Sequence, residues 1–168
     1  MTDSSSHAGP VHGWAVYQLT DDKIDLCVLG DCRLVVARVR DGGLVYDSNA
    51  VRGSASGAWA YSAHAAAKTL QSVEHVMSEA IYGRVEGLRP DDLVIVFTGG
   101  IAKYIGDAAI LLKCEMAMRT PDGVKAVSKD LLGLAAQHHL HTCGGTWQPC
   151  PMSVVSAQVM PAGNIAAR

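Results

Sequence analysis

The sequence predicts a single α+β domain, mostly antiparallel sheet with flanking helices. Three observations predict it. Four short segments near the start have strand character and are separated by turn residues. A long central stretch repeats its apolar residues at helical spacing, and two later runs, Leu93 to Phe97 and Met152 to Met160, return to strand character. Strands gathered first and helices interleaved later, without regular strand–helix alternation, is an α+β order rather than a parallel one.

The elements follow in turn. Gly13 to Thr20 alternates and is rich in β-formers, Asp21-Asp22-Lys23 supplies a turn, and Ile24 to Leu29 alternates again with Ile24, Leu26 and Val28 on one face. Arg33 to Arg40 is a third strand, which Asp41-Gly42-Gly43 turns into Leu44 to Tyr46, so the four are expected to form one antiparallel meander. Val51 to Gly57 is small and Gly/Ser-rich, a loop. Ala63 to Tyr82 is expected to be a helix with Ala66, Leu70, Val73, Met77 and Ile81 as its stripe, capped by Ser62 and ended by Gly83. Leu88 to Asp92 is a turn, and Leu93 to Phe97 is an unbroken apolar run of the kind buried on both faces. Tyr104 to Met118 fits a helical face through Ile105, Ala109, Leu112 and Met116. After the turn Thr120-Pro121-Asp122-Gly123, Val124 to about His138 is a second amphipathic helix through Val127, Leu131, Leu134 and Ala135. Residues 1–12 read as a polar lead-in, 13–160 as one domain, and 161–168 as a tail.

Composition narrows the function classes. Of 168 residues, 49% are hydrophobic and 18% charged, which marks a chain able to bury a core. The net charge of −2, with acids and bases mixed along the chain, gives no basic stripe for nucleic acid. No apolar run reaches the roughly 20 residues of a membrane helix. Five cysteines, an odd number without an apolar signal core, favour free thiols and a cytoplasmic setting.

Three segments carry a family resemblance. Leu29-Gly30-Asp31-Cys32-Arg33, followed by Asp41-Gly42, is similar to the Gly-Asp-Ser-Arg hairpin of the type 2C, metal-dependent serine/threonine protein phosphatases, with Cys32 in the serine position. Asp91-Asp92-Leu93-Val94-Ile95-Val96-Phe97-Thr98-Gly99-Gly100 resembles the strand that ends in that family's Ser-Asp-Gly. Met152 to Val159 resembles the strand after its Asp-Asn pair. Trp14 to Met160 therefore resembles the C-terminal part of such a domain, which implies an incomplete αββα sandwich.

The departures bear on chemistry. The resemblance implies two divalent metals held by aspartates and a metal-activated water. Gly99 stands in place of the Ser-Asp-Gly aspartate, and Cys150 or a neighbour in Gln148-Pro149-Cys150-Pro151 in place of the Asp-Asn aspartate. The other two ligands belong to an N-terminal segment that precedes the matched part and is not in this sequence. The expectation is therefore a degenerate, non-catalytic relative, with no catalytic residue and no resident cofactor. It would act by binding, as a homo-oligomer or with a heteromeric protein partner that covers the sheet face or edge left open.

Two clusters remain as candidate sites. His138, His141, Cys143 and Cys150 lie within thirteen residues and offer zinc- or iron-type ligands, although Cys-x₆-Cys is wider than standard zinc spacings. Histidines that favour a helix C-terminus, beside packed cysteines, explain the same residues. Asp31 and Arg33 form a polar corner that either binds a ligand or makes turn hydrogen bonds. Cys32 beside Arg33 has no neighbouring base in the sequence to make it a nucleophile.

Overall fold

The computed structural model describes residues 14–20, 22–29, 32–50, 80–102, 104–120, 122–142, 144 and 152–160. The strands are β1 (Trp14–Thr20), β2 (Lys23–Leu29), β3 (Arg33–Arg38), β4 (Gly43–Asp47), β5 (Ile81–Glu86), β6 (Leu93–Phe97) and β7 (Val154–Gln158). The helices are α1, a single turn (Gly99–Ala102), α2 (Asp107–Ala117) and α3 (Gly123–Thr142), and a 3₁₀ turn covers Val39–Asp41. Two antiparallel sheets form, one in the order β1-β2-β5 and the other in the order β4-β3-β6-β7.

The arrangement follows from where apolar side chains fall. β2 alternates, with Ile24, Leu26 and Val28 buried, so it needs cover on one face only. β3 and β6 are apolar on both faces. Leu34, Val36 and Val94 join β2 in an inner cluster between the sheets, while Val35, Ala37, Leu93, Ile95 and Phe97 pack under the helices. Among the described residues the layers are sheet, sheet and helices. α3 buries Val127, Leu131, Ala135 and His139 at a spacing of four residues, as its stripe requires.

Four expectations from sequence need correction. The first four strands are not one meander: β2 and β3 belong to different sheets, and the Leu29–Arg33 segment is a crossing between them rather than a hairpin. The cause is the two-faced burial of β3, which only a middle layer can satisfy. The strand expected to reach Arg40 ends at Arg38, where the 3₁₀ turn closes on Gly42 at φ 65°. The helix expected over Ala63 to Tyr82 lies outside the described residues as far as 79, but Ile81 and Tyr82 open β5, and Gly83 sits inside that strand rather than capping a helix. A Cβ at Gly83 would meet Leu26 Cδ1 at 3.3 Å and Tyr46 Oη at 3.4 Å, so the glycine lets the two sheets approach. Finally, α2 buries Ile110, Cys114 and Ala117, and the expected face is wrong at Leu112 and Met116, which are exposed.

The sandwich is closed along one side and open along the other. Gly83 of β5 meets Tyr46 of β4, which closes one side. Across the inner face of the larger sheet burial is complete at Leu34 and Val36 (both 0% exposed) and Val94 (1%), then fails at Val155 of β7, 56% exposed. In the smaller sheet Ile24 is fully buried and its β1 neighbour Leu19 is 37% exposed. Among the described residues three strands face four, and the exposed inward residues Leu19 and Val155 lie on the edge strands β1 and β7.

At the far end of β6 a polar clamp ties the sheet to its turns. Arg38 Nε and Nη2 donate to the two oxygens of Asp92 at 3.0 and 2.7 Å, Arg38 Nη2 also donates to the Gly87 carbonyl, and the Arg89 N–H donates to Asp92 at 2.8 Å. The Asp92 hydrogen bonds hold the Arg38 guanidinium above its ordinary pKa. Asp92→Ala is expected to destabilise the chain by about 2–3 kcal/mol in urea unfolding. That is below the usual cost of breaking a buried pair because Arg38 keeps contact with water. A loss under about 0.5 kcal/mol would show that the clamp does not hold the turn.

Candidate functional site

The start of β3, the ends of β4 and β6 and the start of β7 lie together at one end of the larger sheet, because all four strands are antiparallel neighbours. Arg33, the first residue of β3, is the hub there. Its side chain is 4% exposed and points to the helix side of the sheet, 5.6 Å from the Phe97 ring centroid. Nε and Nη2 grip Asp47 at 3.0 and 2.9 Å, Nη1 donates to the Ile105 carbonyl at 3.2 Å, and Nη2 also donates to Asp107. Asp47 accepts in addition from the Asn49 N–H at 2.9 Å, while Ser48 Oγ accepts from the Leu34 N–H at 3.0 Å.

Burial works against the Arg33 charge, but the hydrogen bonds and charges of Asp47 and Asp107 outweigh it and hold the guanidinium above its ordinary pKa. An open cleft of about 480 Å³ lies beside it, lined among others by Asp47, Asn49, Tyr104 and Gly106. The chemistry of this corner is positional. A permanent cation joins β3, the end of β4 and the loop that opens α2. Asp107, in the first turn of α2, is also favoured there by the helix dipole.

The sequence-stated candidates distribute unevenly over this structure. Arg33 is in the corner, with four of the five N–H groups of a guanidinium engaged. Asp31 lies outside the described residues. His138 and His141 are exposed on the last turns of α3, and the His138 carbonyl accepts from Thr142 Oγ1. Cys143 and Cys150 lie outside the described residues. Among the described residues no group of three or more His, Cys, Asp or Glu gathers to hold a metal.

Cys32 is a buried member of the inner cluster, and Cys27, Cys32 and Cys114 form no disulfide. Burial pushes the Cys114 thiol up to about 12.

Two polar residues have places that the sequence did not suggest: His139, which belongs to the same His138 to Cys150 run of possible ligands, is buried, and Asp107 is drawn to Arg33. His139 is 3% exposed, and its Nδ1 is 2.9 Å from Tyr104 Oη, with the rings edge to face at 5.7 Å. Its signal was the four-residue spacing of Val127, Leu131 and Ala135, which 139 continues. Asp107 had no local signal, since its partner lies 74 residues away.

At the end of β6 the Thr98 N–H donates to the Ser153 carbonyl and the Ser153 N–H to Thr98 Oγ1, both at 3.1 Å, so Thr98 and Ser153 face each other at the mouth of the β6–β7 pair. Gly99 follows as the first residue of α1.

No family model and no curated protein matches the sequence. Solved structures do. The photosystem II phosphatase PBCP superposes with a TM-score of 0.58 at 16% identity, covering 86% of this chain and 62% of its own. The catalytic domain of the serine/threonine phosphatase PstP, solved with two manganese ions, gives 0.53 at 20% identity, over 86% and 56%. PppA of Pseudomonas aeruginosa gives 0.54 at 17% identity, over 84% and 54%. The fold is that of a partial type 2C phosphatase domain. The chain spans a little over half of each of these phosphatases.

A manganese pair of the kind PstP carries needs several carboxylate oxygens. The described residues of this type 2C-like chain do not provide them at the β6 end. Gly99 has no side chain, Thr98 Oγ1 already accepts a hydrogen bond, and Asp47 and Asp107 are held by Arg33. No helix among the described residues is long and apolar enough to cross a membrane.

Arg33→Lys is expected to cost about 2–4 kcal/mol in chemical denaturation, since an ammonium cannot reproduce the forked contacts. Asp107→Asn, at a side chain 61% exposed, should cost less than about 1 kcal/mol. Equal losses would contradict the burial difference. Because the thiolate is the reactive species, Cys114 in the native chain is expected to resist thiol reagents at pH 8 and to react on unfolding. Labelling of Cys114 in the folded chain within minutes, read by mass spectrometry, would contradict this.

Proposed function

We propose that this chain works by binding rather than by hydrolysis, as a regulatory subunit or adaptor in a complex, with a polypeptide partner over the open side of its sandwich. The observation that carries the reading is the end of β6. The fold is a phosphatase fold, yet the position that resembles the family's metal-binding aspartate is Gly99, and among the described residues at that end of the sheet the carboxylates of Asp47 and Asp107 are tied to Arg33. A scaffold of this kind retains surfaces rather than a water-activating centre. The exposed inward residues Leu19 and Val155 support the partner, since apolar side chains at a sandwich interior are ordinarily covered. A cytoplasmic setting agrees with thiols at Cys27, Cys32 and Cys114.

The test is a paired measurement on the purified chain and on chain recovered from its native host. Light scattering is expected to give a dimer or a stable complex with a second chain. Hydrolysis of a phosphopeptide with Mn²⁺ or Mg²⁺ is expected to stay at the level of the metal alone. A monodisperse monomer from both sources would remove the partner. Metal-dependent hydrolysis by the chain, or only by a complex with a second chain, would make it a phosphatase after all. Stoichiometric zinc or iron, lost on substituting His141 and Cys143, would favour instead an enzyme with a new metal or thiol centre.

A further inference from the structure

Resting on the reading that the open side is covered by a polypeptide, we propose that the cover along β7 is a second copy of this chain. β7 pairs antiparallel with its counterpart across a two-fold axis at Ser156, joining two four-stranded sheets into one continuous sheet.

The edges of the two sheets differ in how they discourage pairing. β4 is interrupted by a register shift opposite Val36 and Ala37, and β5 carries Arg84 and Glu86. Irregularities and charges of this kind protect an edge. β7 has neither. From Met152 to Met160 there is no charged residue and no proline, and Val155 and Met160 are 56% and 55% exposed. β1 is also uncharged, but only β7 belongs to the sheet that overhangs the sandwich.

The backbone is oriented for the pairing. The Val159 N–H donates to the Asp92 carbonyl at 2.9 Å, its carbonyl accepts from Asp91 at 3.0 Å, and the Ser153 carbonyl accepts from Thr98 at 3.1 Å. Odd-numbered residues therefore bond inward to β6. By antiparallel alternation Val154, Ser156 and Gln158 turn their N–H and C=O groups to the free edge.

A two-fold axis at Ser156 sets these outward groups against one another, Val154 opposite Gln158 and Ser156 opposite Ser156. Val155 then falls opposite Ala157 in the non-hydrogen-bonded pair, where side chains come closest. That pair lies on the inner face beside Val96, where burial fails in the single chain. Within the two β7 strands no like charges meet in this register. The chain's own tails are poor substitutes. Residues 1–13 are mostly polar and small, and Pro161 and Gly163 open the other tail.

The test uses the full chain. Light scattering is expected to give twice 17.7 kDa. Val155→Cys and Ala157→Cys variants, mixed one to one and oxidised, are expected to cross-link to each other, with the unsubstituted chain as control for its own cysteines. Val155→Lys should give a monomer with unchanged circular dichroism, because the site is exposed in the single chain. A dimer that survives Val155→Lys and does not cross-link would overturn the β7 seam and leave the covered-side reading standing. So would a chain that is monomeric alone but binds a different protein. A monomer with no partner from either source would overturn both.

Discussion

The fold depends on one constraint, the two-faced burial of the β3–β6 pair. Both strands are apolar above and below, with Leu34 and Val36 facing the smaller sheet and Val35, Ile95 and Phe97 facing the helices. A pair of this kind cannot sit at a surface, since each exposed aliphatic side chain would forfeit about 1.5–3 kcal/mol of burial. Both faces must be covered, and different parts of the chain supply the covers. α2 and α3 pack on one side. On the other, β1, β2 and β5 form a sheet that is one strand narrower than the sheet it covers. The exposed Val155 is the direct consequence of that difference in width.

Charged residues sit where this layering would otherwise come apart, at the strand ends. Arg33 anchors one end of the central pair and Arg38 the other, each by a forked contact to an aspartate and a further contact to a carbonyl. Each aspartate is on a strand beside the arginine or directly before one, Asp47 at the end of β4 and Asp92 next to the first residue of β6. Each arginine also draws in a turn, through the Ile105 carbonyl and Asp107 in one case and through the Gly87 carbonyl in the other. Such pairs contribute less to net stability than their geometry suggests, because desolvation offsets much of the attraction. Their larger effect is to fix which turn lies against which strand.

The sequence was informative where the signal was local. Leu93 to Phe97 has the strand limits read from its apolar run, and Val127, Leu131 and Ala135 are the buried stripe of α3 as their spacing requires. The α+β class and the two-sheet likeness to type 2C phosphatases follow from several such signals in order. The failures share one cause, partners distant in sequence. Ile81, Gly83 and Val85 do alternate with Tyr82, Arg84 and Glu86, but the apolar periodicity before them extended a helix over their start. β2 and β3 read as a hairpin because nothing between Leu29 and Arg33 says that the chain changes sheets. The Arg33 corner was half legible. The residue stood out, but its ties to Asp47 and Asp107 are set by tertiary structure.

Arg33 ties strand ends and a loop together at the same end of the sheet as Gly99. A metal cluster between strand ends would hold them as a multivalent cation. Here a guanidinium supplies positive charge at that end from within the protein, and it neutralises Asp47 and Asp107 without a coordination sphere. A guanidinium whose pKa is held high by its two carboxylates stays charged at any physiological pH. That end of the sheet is thus tied by an arginine and two aspartates that bind one another. The exposed inward-facing side chain Val155 lies elsewhere, on the β7 edge.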